Sequence, residues 1–220
     1  MKFIDGLAMK THGRTKWIVA ILLGVGACCL PAFADEVYTY TYQGDFLQIP
    51  ADQNASQGQM NDAVINIDYH LIISDLDVTI TITHSNVFDL QIFLQSPDGT
   101  TLCLNSYDPD NGFFKGADYS QTVFDDEALT NIGNTEPPFT GQFRPDSLEG
   151  LKIFDGQDAY GPWHLQICDM WDYDTGTLES FALTIITPTI ITPEPATVVL
   201  LALGAGLVTL LKPRRNLKNF

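Results

Sequence analysis

Strict two-residue alternation is the feature that most limits what this chain can fold into. Val78, Ile80 and Ile82 interleave with Thr79, Thr81 and Thr83, and Leu90, Ile92 and Leu94 with Gln91, Phe93 and Gln95. Trp163, Leu165 and Ile167 interleave with His164, Gln166 and Cys168, and a last run carries Leu183 and Ile185. Successive side chains of a strand point to opposite faces, so each run makes one apolar face and one more polar face. No window of comparable length has helical periodicity. Turn-forming clusters such as Ser96-Pro97-Asp98-Gly99 and Asp172-Tyr173-Asp174-Thr175-Gly176 punctuate the runs. Short strands with frequent turns predict an all-β chain, an antiparallel β-sandwich of the jelly-roll type. The stretch from Tyr38 to Tyr42 alternates as well and adds an edge strand or a short lead-in.

The two ends follow different rules. Lys10, His12, Arg14 and Lys16 precede an apolar stretch from Trp17 to Leu30, and Ala32-Phe33-Ala34 is a small-x-small pattern. Together they predict a signal peptide over 1–34, cleaved after Ala34, with the mature chain starting at Asp35. A lipoprotein-like alternative, Val25-Gly26-Ala27-Cys28, would instead place a lipid on Cys28. At the other end Pro193, Glu194 and Pro195 lead into an apolar run from Ala196 to Leu211, stopped by Lys212, Arg214, Arg215 and Lys218. As a helix that run measures roughly 24 Å, a little short of the roughly 30 Å hydrocarbon core of a bilayer. It reaches across where the bilayer thins or Lys212 snorkels, with the basic cluster on the cytoplasmic side. A buried C-terminal helix of a soluble domain is the other reading of the same run.

Charge separates the body from these ends. Of the 11 Lys and Arg, only Lys115, Arg144 and Lys152 lie between Asp35 and Pro193. Of the 27 acidic residues only Asp5 and Glu194 lie outside that span, so 25 face those three cations, a net charge near −22. Such a surface repels nucleic acid and anionic lipid. It suits either plain solubility outside the cell or bound calcium.

Triplet, apolar segment and basic end, in that order, resemble the PEP-CTERM sorting signal of Gram-negative envelope proteins. The resemblance covers about Thr192 to Lys218 and implies recognition by an exosortase-type processing enzyme. It further implies a membrane-held intermediate, cleavage near the triplet, and delivery to the cell surface or extracellular matrix.

A second resemblance runs from about Val64 to Thr187. Its pieces are Val78 to His84, Asp89-Leu90, Leu94-Gln95-Ser96-Pro97-Asp98-Gly99-Thr100 and Thr122 to Ala128. Gly141-Gln142-Phe143-Arg144-Pro145, Leu151 to Phe154, Gly161-Pro162-Trp163-His164-Leu165 and Asp174-Thr175-Gly176-Thr177-Leu178 complete the ordered set. The segment resembles the P domain, or Homo B domain, that follows the catalytic domain of subtilisin-like proprotein convertases. The resemblance implies a β-sandwich of the jelly-roll kind. Phe181 stands where that family usually has a Trp, an aromatic exchange at a packing position.

Catalytic signatures are missing from the sequence. There is no His-Gly-Thr or Gly-Thr-Ser-x-Ala segment of a subtilase, no Gly-x-Ser-x-Gly elbow, no His-Glu-x-x-His, no phosphate-binding loop and no Cys-x-x-Cys. His70, His84 and His164 have neither metal spacing nor a neighbouring nucleophile pattern, and read as strand or turn residues. Cys103 and Cys168 remain after signal-peptide removal, each out of phase with its strand's apolar side. On the less buried face of a sheet in an exported chain, they are expected to form a disulfide, against the alternative of two free thiols. Asp108-Pro109-Asp110-Asn111-Gly112 and Asp172-Tyr173-Asp174-Thr175-Gly176 both read Asp-x-Asp-x-Gly, and Asp125, Asp126 and Glu127 are consecutive. Alternate carboxylates beside a Gly turn can supply several of calcium's oxygens, which makes Asp108, Asp110, Asp125 and Asp126 the candidate ligands. The bidentate Glu of an EF-hand is missing, and Asp and Gly also dominate ordinary turns.

The expected organisation is a signal peptide over 1–34, a lead-in over 35–60 and a P-domain-like sandwich over 61–188. A linker with the Pro-Glu-Pro motif follows over 189–195, then a hydrophobic sorting helix over 196–211 and a basic tail over 212–220. The expected function is a non-catalytic, exported surface or matrix module whose partners are extracellular polysaccharide or a secreted protease. It meets the membrane through its C-terminal helix before processing. The alternative is an accessory module that stabilises or assists a separately encoded subtilisin-like protease.

Overall fold

The computed structural model describes residues 35–188 except 53, 56 and 109–115. The expected signal peptide with Ala32 and Ala34, and the expected sorting tail with Pro193, Glu194, Pro195, Lys212, Arg214 and Arg215, lie outside the described residues. Among those described, no helix is long and apolar enough to cross a membrane.

Eleven strands are described in chain order: β1 (Glu36–Thr41), β2 (Leu47–Ile49), β3 (Gly58–Gln59), β4 (Ala63–Ile67), β5 (Asp75–His84) and β6 (Leu90–Gln95). They continue as β7 (Thr101–Asn105), β8 (Tyr119–Phe124), β9 (Phe139–Phe143), β10 (Gly161–Asp169) and β11 (Gly176–Thr187). Three short 3-10 turns, Val87–Asp89, Ile132–Asn134 and Leu151–Phe154, are the helical content described. One sheet runs β1-β11-β5-β8-β9 with β2 also on β11, and the other runs β3-β10-β6-β7 with β4 also on β10. All pairings are antiparallel except β8 with β9, which run parallel.

The alternation sets which side chains meet. On β5 Leu76, Val78, Ile80 and Ile82 are buried, on β6 Leu90, Ile92 and Leu94, and on β10 Trp163, Leu165 and Ile167. These positions from both sheets form one apolar cluster, so the sheets pack as a β-sandwich. β11 changes phase part-way, with Leu178 buried and then Phe181, Leu183 and Ile185. A register shift against β5 between Leu178 and Ser180 supplies the extra residue and keeps the apolar side chains inward. Phe181 is fully buried, as a packing position requires. Trp163 stacks edge-on to Phe154, and its indole N–H donates to the Ala159 carbonyl at 2.9 Å, so its one polar atom is satisfied in the core.

Turn chemistry joins the strands where the sequence shows it. In Ser96-Pro97-Asp98-Gly99 the Asp98 carboxylate accepts from the Ser96 hydroxyl (2.6 Å) and the Thr100 N–H (2.9 Å), and Gly99 takes φ 92°. β9 alternates only weakly, with Phe139 buried and Phe143 half-buried around exposed Thr140 and Gln142. It contains Gly141 at φ 97° and is held by its parallel neighbour β8.

The expected Cys103–Cys168 bond is not formed, and both thiols are free. Each does sit on the half-buried side of its strand, but β6 lies between them. Cys103 pairs with Phe93 and Cys168 with Gln91, on opposite flanks of that strand. Two strand spacings separate partners by roughly 10 Å, beyond the about 7 Å limit between Cα atoms that a disulfide can bridge. Burial pushes the Cys103 thiol up to about 11, with Asp146 adding to it, and raises Cys168 as well. Iodoacetamide labelling of the denatured chain without reductant is expected to mark both Cys103 and Cys168; finding neither marked would contradict this arrangement.

Candidate functional site

Two polar clusters stand out against the apolar core. The first is a carboxylate basin at one end of the first sheet. Antiparallel pairing sets Val78 against Phe124, so the start of β5 lies beside the loop that leaves β8. That register brings Asp75 and Asp77 towards Asp125, Asp126 and Glu127, with Asp155 nearby. Asp126, Glu127, Asp155, Arg144, Asp146 and Lys152 line an open cleft of about 720 Å³. Burial pushes Asp77 up to about 7, and the fields of Asp125, Asp75, Glu127 and Asp126 push the same way. Asp75, Asp155 and Glu127 are raised as well, the first two chiefly by burial and Glu127 chiefly by its hydrogen bond to Asp125.

Asp126 has a structural job in this basin. Its two oxygens accept the N–H groups of Leu151 and Lys152, both at 2.9 Å, and so cap the 3-10 turn Leu151–Phe154. Gly150, at φ 66°, permits the approach, since a Cβ there would sit 2.6 Å from both Asp126 oxygens. Asp125 Oδ1 accepts the Glu127 N–H at 2.7 Å, an Asx turn.

These commitments bear on the calcium candidates. Asp110 lies outside the described residues. Asp108 lines a separate cleft with Phe88, Asn105 and Asp146, and Asp108, Asp125 and Asp126 do not converge as ligands. Among the described residues one group does converge, His84, Asp169 and Asp174, whose ligand atoms lie within 4.8 Å of one another.

This second cluster closes the core at an end of β5 and β10. His84 continues the inward phase of Ile80 and Ile82, and Asp169 continues that of Leu165 and Ile167. The two belong to different sheets, and His84 Nε2 meets Asp169 Oδ2 at 3.1 Å with both side chains fully buried. Asp89, from the 3-10 turn between β5 and β6, is buried beside them, and Asp174 comes from the β10–β11 turn. Burial works against a charged His84, but the hydrogen bond and field of Asp169, helped by Asp174, leave its pKa raised. Burial pushes Asp89 up to about 6, with Asp174 and Asp169 adding to it. Gly176 lets β11 pass close to the imidazole, because a Cβ there would collide with the His84 ring and lie 2.6 Å from the Thr83 carbonyl oxygen.

Reading the histidines as ordinary strand residues missed this cluster. The available signal was phase: His84 and Asp169 are polar residues at inward positions of two strands. His164 and His70 are the more exposed ones and pair with Asp62 (3.0 Å) and Asp158 (2.6 Å) on the surface.

The profile of the proprotein convertase P-domain matches residues 73–185, just over half of the chain. The chain belongs to this P-domain family. Both clusters draw on the matched P-domain segment, which is a non-catalytic module. No curated protein matches the chain. Solved structures similar to it include a serine protease of Aeromonas sobria in complex with a chaperone, 17% identical over 73% of this chain and 28% of that one, TM-score 0.41. The protease without the chaperone gives 18% identity over 72% and 28%, TM-score 0.41. A structure of infectious bursal disease virus, Gt strain, gives 20% identity over 69% and 33%, TM-score 0.32. The chain thus spans 28% of the length of the proteases it resembles.

Two outcomes follow from the basin. Removing the cap in Asp126→Ala is expected to cost about 1 kcal/mol in denaturant unfolding. Asp77 is raised in the folded state above its ordinary value of 3.8, so between about pH 4 and 7 the folded chain binds more protons than the unfolded one. Its contribution to stability is therefore largest below pH 4 and is lost as pH rises through 7. Asp77→Asn is expected to melt higher than wild type at pH 8 and to flatten the decline between pH 5 and pH 8; parallel melting curves for the two proteins would contradict this.

Proposed function

We propose that this chain is an exported, non-catalytic module of the cell surface or extracellular matrix, a P-domain sandwich of the jelly-roll kind delivered by an exosortase-type route. The signal peptide over 1–34 starts export, and the tail from Pro193 to Lys218 holds a membrane-bound intermediate until it is cut near the Pro-Glu-Pro triplet. The observation that carries the reading is the partition of charge around a family-assigned P domain. The P-domain match at 73–185 lies within the acidic span, whereas eight of the 11 basic residues lie in the two end segments. Cations placed before one apolar run and after another are what membrane insertion reads, and an acidic, soluble body is what remains outside.

Family membership favours one second reading, an accessory module for a separately encoded secreted protease of the subtilisin kind. P domains accompany such proteases, and this sequence carries no His-Gly-Thr or Gly-Thr-Ser-x-Ala segment of its own.

One experiment addresses both readings. An epitope tag is inserted at Leu148, which is 99% exposed, and the full chain is expressed in a Gram-negative host with an exosortase-type enzyme. Wild type is expected at the cell surface or in the matrix, shortened at both ends, and Glu194→Ala is expected to accumulate uncut in the membrane fraction. Equal distribution of the two would remove the sorting route. Capture of a subtilisin-like protease on the tag, with no polysaccharide, would select the accessory reading.

A further inference from the structure

We propose that His84, Asp89, Asp169 and Asp174 form a binding site for one divalent first-row metal cation, Zn2+ or Mn2+, which ties the β5–β6 junction to the β10–β11 turn. The site is independent of how the chain is sorted and of which partner it meets.

Three observations carry it. The first is an orphaned atom. Asp89 is 1% exposed, and its Oδ1 has no hydrogen-bond partner. Asp174 Oδ1 is likewise buried and unpartnered. Buried carboxylate oxygens are costly to leave bare, and the usual remedies are a paired charge or a bound metal. Of the cations described in the body, Arg144 and Lys152 line the acidic cleft and are not available here.

The second is the way each side chain is held. Asp89 Oδ2 accepts from the Asn86 amide at 2.7 Å, Asp169 Oδ1 from the Trp171 N–H at 3.1 Å, and Asp174 Oδ2 from the Ser85 hydroxyl at 2.6 Å. His84 Nδ1 lies 2.9 Å from the Asn86 carbonyl oxygen. With the Nδ1 proton donated to that carbonyl, a bound cation takes the place of the proton that Nε2 otherwise shares with Asp169. Each residue is thus anchored through one polar atom, and its second is left for the interior of the cluster. Outer hydrogen bonds of this kind orient ligands around a metal.

The third is size and donor type. Two ligands at about 2.1 Å from one ion stand at most about 4.2 Å apart. The His84, Asp169 and Asp174 atoms, within 4.8 Å of one another, need to close by only about half an ångström around such an ion. One imidazole nitrogen with carboxylates suits zinc or manganese, whereas calcium prefers a shell of oxygens alone.

The test uses the purified full-length chain, stripped with a chelator and titrated calorimetrically with Zn2+, Mn2+ or Ca2+. One equivalent of Zn2+ or Mn2+ is expected to bind more tightly than Ca2+ and to raise the melting temperature. Asp174→Asn, which removes a ligand, is expected to weaken binding by about 100-fold or more, and Ser85→Ala, which frees only its anchor, by about 10-fold. Because buried variants can fail to fold, Mn2+ resonance spectra of the wild-type chain give a second reading, with coupling to one imidazole nitrogen expected. No tight equivalent, affinity unmoved in both variants, tighter Ca2+ than Zn2+ or Mn2+, or a spectrum without nitrogen coupling would each overturn the proposal.

Discussion

The packing of two inward-facing rows against each other is the constraint on which the rest of this molecule depends. Val78, Ile80 and Ile82 from one sheet, and Ile92, Leu94, Leu165 and Ile167 from the other, share a single core with Trp163. Burying a side chain of this size contributes about 1.5–3 kcal/mol, so a one-residue slip of β5 or β10 would expose a whole row and bury its threonines or glutamines. That penalty holds the register. The irregularity in β11 between Leu178 and Ser180 shows it acting, because the chain takes up an extra residue there and keeps Phe181, Leu183 and Ile185 inside.

The same phase rule places the polar clusters. His84 and Asp169 are the last members of two inward rows and meet between the sheets where the apolar rows end. Asp75 and Asp77 occupy the opposite phase of β5 and are brought beside Asp125 and Asp126 by pairing with β8. One cluster is therefore sealed and anchored by outer hydrogen bonds, and the other is open to solvent and partly engaged in capping a turn through Asp126.

Most of the strand content was legible because period-two alternation is a local property of β5, β6 and β10. β9 was not legible. Phe139 and Phe143 alternate with exposed Thr140 and Gln142, but Gly141 interrupts the apolar row, and the strand geometry comes from the parallel neighbour β8, a contact between segments. The cysteines show the same limit from the other side. Their phase was readable, and both do lie on the less buried side, but the strand order that inserts β6 between them was not. The acidic loops were readable as turns. Which of their carboxylates are spent on backbone N–H groups, as Asp126's are, depends on where Leu151 and Lys152 arrive from 25 and 26 residues away.

By itself the sequence determined the two-faced strands, the turns that separate them, the acidity of the body and the confinement of most cations to its ends, since each is set by neighbours in the chain or by composition. The resemblance to the P-domain family marked Phe181 as an aromatic packing position, and it is fully buried. Only the tertiary structure decided which strands are neighbours, that Cys103 and Cys168 stay apart, and that His84 and Asp169 meet. Residues 85 positions apart acquire a common environment through the crossing of two sheets, and alternation fixes the face a side chain occupies without fixing what stands across from it.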